Sequence, residues 1–92
     1  PELMRSEAVI MECTFLDNSK PYEAARRGGH VHIKDLIERA EYITCKRLIL
    51  SHFSQLYPFD DVPGHLRELN AMVEADVWAW PMRTDQRPVQ VL

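Results

Sequence analysis

The run Arg47-Leu48-Ile49-Leu50-Ser51-His52-Phe53-Ser54 decides how this chain is read. Leu48 to Leu50, with Arg47 leading in, is short, apolar and bounded by polar residues, the pattern of a buried strand. Its apolar character stops at Ser51-His52. In an open α/β sheet the carboxyl ends of the strands are where ligands and metals gather. A histidine there is held at its backbone and free at its ring, which suits a metal ligand. Taken alone, His52 fits equally a residue that closes a strand in solvent or under a loop.

Toward the amino end, Ala8-Val9-Ile10-Met11 is a second strand-like run, closed by Glu12 and followed by Cys13-Thr14-Phe15. A carboxylate inside such a run needs a partner, a place at the strand's edge or a chemical role, because an unpaired buried charge is costly. Leu16 to Lys20 has loop composition. Pro21 fits the first position of a short helix over residues 21–27, which Gly28-Gly29 ends. His30-Val31-His32 then precedes the clearest helix, whose apolar stripe is Ile33, Leu36, Ile37, Ala40 and Ile43. The free N–H groups at the start of a helix favour an anion such as a phosphate oxygen. His32 is expected to cap that helix.

Toward the carboxyl end, Gln55 to Asp61 is irregular, and Pro63 opens another helix with the stripe Leu66, Leu69, Val73 and Met72 beside it. His65 lies off that stripe and reads as a surface residue. Val77-Trp78-Ala79-Trp80 is a third strand, stopped by Pro81, with the two tryptophans on one side. Residues 83–92 read as a poorly ordered tail, leaving residues 1–82 as a single domain. Strands alternating with helices predict an α/β fold, a βαβαβ unit with mostly parallel strands and right-handed crossovers. Parallel neighbours end on one rim, so Glu12 and His52 should lie close, with His30 brought in from a loop.

Composition bounds the rest. The 92 residues suffice for one small domain. A net charge of −3 provides no basic field to attract nucleic acid unaided. No apolar run approaches the ~18 residues of a membrane span, and no signal-peptide pattern opens the chain. Cys13 and Cys45 do not make a disulfide framework and read as buried thiols of a reducing, cytoplasmic compartment. A start at Pro1 rather than Met points to a processed, tagged or excised piece.

Met11-Glu12-Cys13-Thr14-Phe15, Gly29-His30 before a helix, and Leu48-Ile49-Leu50-Ser51-His52-Phe53-Ser54-Gln55-x-Tyr57 occur in that order. They resemble the carboxyl-terminal part of ribonuclease Z-like hydrolases of the metallo-β-lactamase fold, where His-Glu-Ala-Thr-Phe, Gly-His-Ser-Thr opening a helix, and a strand ending in His-Phe-Ser follow one another. The likeness covers roughly Ala8 to Tyr57. It implies the C-terminal half of an αββα sandwich, with His52 as a zinc ligand and Glu12 and His30 as the paired catalytic residues beside a scissile phosphate. Ser54, Tyr57 and His32 become candidate substrate contacts. The complete site in that family holds two zinc ions about 3.5–4 Å apart that clamp the phosphate.

The departures matter as much. Met11 stands where the pattern has His, and Val31-His32 where it has Ser-Thr. Leu56 stands where tRNA-processing members carry Arg before Tyr, which removes a phosphate contact and argues against tRNA. The His-x-His-x-Asp-His motif and the metal-bridging aspartate are absent from the chain. The expectation is therefore the C-terminal part of a zinc-dependent phosphodiesterase or endoribonuclease, inactive alone. Its partner would be the missing N-terminal half or another copy, which makes a homo-oligomer the expected state. The alternative is a small interaction or structural module without catalysis, using Trp78, Trp80, Tyr57 and Phe59 as its contact surface.

Overall fold

In the computed structural model, which describes residues 7–17, 24 and 27–92, Leu48 and Leu50 lie fully buried at the centre of a four-stranded sheet. The strands are β1 (Ala8–Glu12), β2 (Arg47–Ser51), β3 (Asp76–Ala79) and β4 (Val89–Gln90), in spatial order β1-β2-β3-β4. β1, β2 and β3 run parallel, as the alternation of strands and helices predicts, and β4 joins β3 antiparallel. The register sets Val9, Leu48 and Val77 in one row and Ile10, Ile49 and Trp78 in the next.

Side chains alternate across a strand, and here the alternation divides two unlike faces. Val9, Leu48, Leu50, Val77 and Ala79 point into the core, where helices cover them. The other face carries Ile10, Ile49, Trp78 and Trp80, with Ile10 73% and Trp80 48% exposed. A shallow groove of about 210 Å³ lies among Ile10, Ile49, Ser51 and Trp80.

The helical layer follows the expected apolar stripes but breaks where the core requires it. α1 (Ile33–Glu38) buries Ile33 and Leu36, then Arg39 leaves helical geometry and Ala40–Tyr42 forms a 3-10 turn. The tighter winding of three residues per turn keeps both Ala40 and Ile43 in the core. The single helix expected from Pro63 is likewise two, α2 (Val62–His65) and α3 (Arg67–Met72), meeting at the fully buried Leu66. Of the helix expected over residues 21–27, residues 21–23 and 25–26 lie outside those described. Ala24 and Arg27 are helical, and the Gly28 N–H donates to the Ala24 carbonyl at 3.2 Å. Gly29 follows at φ 75°, a left-handed turn that glycine adopts without a side-chain penalty.

Two expectations are corrected. Residues 83–92, expected as a tail of low order, contain β4, and Val91 is 2% exposed with its N–H on the Val77 carbonyl at 2.8 Å. The polar lead-in is itself built: the Arg83 guanidinium forks onto Asp85 at 2.9 and 2.7 Å, which holds that carboxyl below its usual range. A two-residue pairing is too short to leave a period-two pattern in sequence. His65, expected on the surface, is half-buried and sets its ring edge-on to Tyr57 at 5.2 Å. A stripe drawn on one continuous helix misplaces it because the helix is interrupted at Leu66.

Candidate active site

At the carboxyl rim of the sheet, backbone hydrogen bonds stitch together three segments far apart in sequence. Glu12 is in register with Ser51, and the Cys13 N–H donates to the Ser51 carbonyl at 2.9 Å. The Ser54 N–H reaches the Thr14 carbonyl at 2.8 Å. Thr14 and Phe15 both donate to the Val31 carbonyl, at 3.0 and 3.2 Å, and the Ile33 N–H returns to Phe15 at 2.8 Å. The segments carrying Glu12, His30 and His52 therefore share one rim, and all three side chains are exposed there. Exposure removes the cost that a carboxylate inside an apolar run would carry.

His52 is the one non-glycine residue at positive φ (59°) among the described residues. Histidine tolerates this region better than most side chains, yet a non-glycine residue held there costs of order 1–3 kcal/mol, and such strain gathers at functional sites. The turn sends Phe53 into the core and leaves the imidazole outside. His30 sets its ring perpendicular to Phe15, with centroids 5.7 Å apart at 88°.

The candidate substrate contacts fare differently. Ser54 is half-buried, and its hydroxyl accepts from the Leu56 N–H at 3.2 Å. Tyr57 is 8% exposed, and its hydroxyl accepts from the Leu16 N–H at 3.1 Å and donates to Asp17 Oδ1 at 2.9 Å. That burial also takes Tyr57 out of the contact surface expected of an interaction module. His32 is 2% exposed: Nδ1 accepts from the Lys34 N–H at 3.1 Å and Nε2 meets the Asp17 carbonyl at 2.9 Å. It is the N-cap of α1, with Asp35 accepting the His32 N–H in a capping box. His32 thus faces inward, whereas Tyr57, though buried, is among the residues lining a cleft beside the rim.

Sequence reasoning missed a cleft of about 500 Å³ beside the rim, between residues 53–62 and 82–86, with Ser54, Gln55, Asp60, Arg83 and Gln86 among its walls. Its second wall belongs to the segment read as a tail, so no local signal marks it.

Cys13 is fully buried with its Sγ 3.8 Å from the Phe15 carbonyl oxygen, and burial, aided by the charge of Asp35, pushes its thiol up to about 12. Burial also raises the thiol of Cys45. Neither thiol is a nucleophile at neutral pH.

A metal site needs three or four converging donors. Among the described residues no three His, Cys, Asp or Glu side chains form such a group, so Glu12, His30 and His52 do not make one either. The donor set present does not fit zinc by itself. Among the same residues, no helix is long and apolar enough to cross a membrane.

No family model matches the chain. It is 37% identical over 76 residues to tRNase Z TRZ2, chloroplastic, of Arabidopsis thaliana, a match that takes in 83% of this chain and 22% of that protein. It is 33% identical over 78 residues to tRNase Z TRZ1 of the same plant, covering 85% of this chain and 28% of the relative. Ribonuclease Z of Pyrobaculum neutrophilum is 37% identical over 78 residues, which is 26% of its length. The chain is thus related to the ribonuclease Z proteins across about four-fifths of its residues while spanning about a quarter of their length.

Proposed function

We propose that this chain is the carboxyl-terminal part of a zinc-dependent phosphodiesterase of the ribonuclease Z type, acting on RNA in the cytoplasm and inactive alone. The observation that supports the reading is the stitched rim, whose backbone hydrogen bonds join the three segments on which Glu12, His30 and His52 stand. In this reading the His30 imidazole delivers a proton to the leaving oxygen of the phosphodiester. The Glu12 carboxylate holds the tautomer that can do so. His52 offers one exposed nitrogen to a metal site whose other ligands come from outside the chain, since the donors here are too few.

The open face of the sheet fits the same reading. Ile10, Ile49, Trp78 and Trp80 form an apolar surface that, in half of an αββα metallo-β-lactamase sandwich, lies against the other sheet. Supply of that sheet by the remaining part of the protein, or cover by a second copy, is the partner this reading requires. Leu56, where the family pattern has an arginine, argues against tRNA as the RNA substrate.

The test is made in the full-length protein that carries this chain. His30→Ala is expected to lower RNA cleavage by about 10²–10⁴ with zinc content unchanged. His52→Ala is expected to lose zinc, read by atomic absorption. Unchanged turnover in the His30 variant refutes the reading. A second reading, an interaction module without catalysis, rests on the same exposed tryptophan face. It predicts that altering Trp80 abolishes partner binding, while altering Glu12, His30 or His52 changes nothing.

A further inference from the structure

A hydrogen-bonded chain crosses all three segments of the rim without including any residue assigned to chemistry. It starts at the buried hydroxyl of Tyr57, on the segment after His52, which donates to Asp17 Oδ1 at 2.9 Å and accepts from the Leu16 N–H at 3.1 Å. Asp17 lies on the segment that leaves β1 beyond Glu12, and its backbone carbonyl is 2.9 Å from His32 Nε2. Because His32 Nδ1 accepts from the Lys34 N–H, the ring carries its proton on Nε2, and that proton goes to Asp17. The backbone beside His32 is pinned as well: the Val31 carbonyl takes two N–H groups from the strand extension.

Capping alone does not explain this histidine. An N-cap needs one short acceptor, which Ser, Thr, Asn and Asp provide best. His32 performs the cap with one nitrogen and spends the other, 2% exposed, on a bond to a residue far along the chain.

We infer that Tyr57, Asp17 and His32 are positioning residues, a relay that fixes the backbone at 31–32 and so holds the His30 ring at the rim against Phe15. The inference rests on the role of His30 proposed above and deepens it. It explains how an exposed imidazole on a Gly-Gly hinge keeps one place. Misplacement of a reacting group by about 1 Å can cost about 100-fold in rate, so such a relay would act on turnover rather than on binding.

Two variants separate positioning from capping. His32→Asn keeps a strong N-cap residue but removes the proton donor to Asp17. Tyr57→Phe keeps the ring and removes the hydroxyl's hydrogen bond to the Asp17 carboxylate. Both are made in the 92-residue chain labelled with ¹⁵N-histidine. In the unaltered chain, NMR should show His32 as the neutral Nε2–H tautomer. The His30 ring protons should be displaced from free-histidine positions by the Phe15 ring. In both variants that displacement is expected to collapse while far-UV circular dichroism stays the same, and in the full-length protein kcat falls about ten-fold or more with KM unchanged.

Native His30 positions in both variants overturn the relay and leave His32 as a cap only. Should His32→Asn unfold the chain, Tyr57→Phe, which removes one oxygen atom, carries the same two outcomes. The spectra need neither RNA nor metal. Absence of RNA cleavage by the full-length protein, with spectra changed as expected, would refute the nuclease reading and leave the relay standing.

Discussion

The two faces of the sheet are built from the same strands and obey opposite rules. On the helix-covered face Leu48, Leu50, Val77 and Ala79 are 0% exposed, and each methyl group there is removed from water. On the other face Ile10, in β1, and Trp80, just past the end of β3, are 73% and 48% exposed. Apolar residues on the open face therefore do little for the fold of this chain. The proposed function uses them as the contact surface for the other sheet or a second copy.

Substitution should separate the faces sharply. Leu48→Ala, at the centre of the covered face, is expected to cost about 2–5 kcal/mol through lost burial and the cavity left behind, read from urea denaturation. For a chain this small that approaches its whole stability. A loss below about 1 kcal/mol would mean that the covered face is not the core.

The covered face also shelters Cys13, and alkaline pH tests that shelter. Burial raises its thiol from the ordinary 9.0 to about 12. The unfolded chain therefore ionises this group first as pH rises. Its contribution is intact below 9.0 and is lost between 9.0 and about 12, at about 1.4 kcal/mol per pH unit. Cys45, shifted the same way, adds to the loss. Denaturation midpoints that stay level from pH 9 to 11 would show these thiols reaching water.

The rim where the faces end contains the strained His52. His52→Gly relieves the positive φ, whereas His52→Ala keeps it. The glycine variant should be the more stable of the two by about 1 kcal/mol, and equal thermal midpoints would remove the argument from strain. Ile10→Thr on the open face is expected to shift the stability of the isolated chain by no more than about 0.5 kcal/mol. A cost above about 2 kcal/mol would show the face already covered, and sedimentation at rising concentration would identify a second copy as the cover.

How much of this was legible in the sequence follows from the range of each signal. Val9, Leu48, Leu50 and Val77 were readable because a strand declares itself within a few residues, by short apolar runs bounded by polar ones. Parallel pairing followed from the helices between the strands, and with it the shared rim of Glu12 and His52. His32 as a helix cap was also readable, since it stands immediately before the apolar stripe. The burial of Tyr57 was not, because its partners Leu16 and Asp17 are some forty positions away. β4 escaped because only docking against β3 makes Val89–Gln90 a strand.

By itself the sequence determined that the runs around Val9, Leu48 and Val77 become strands, where the apolar stripes of the helices lie, and which polar residues stand where those strands end. These depend on periodicity and on contacts between near neighbours. Only the tertiary structure decided that the helices break at Arg39 and Leu66, that the last residues close the sheet, and that Tyr57 and His32 are buried. In each case the energy comes from burial against residues distant in the chain, and local pattern carries no record of which distant surface will arrive.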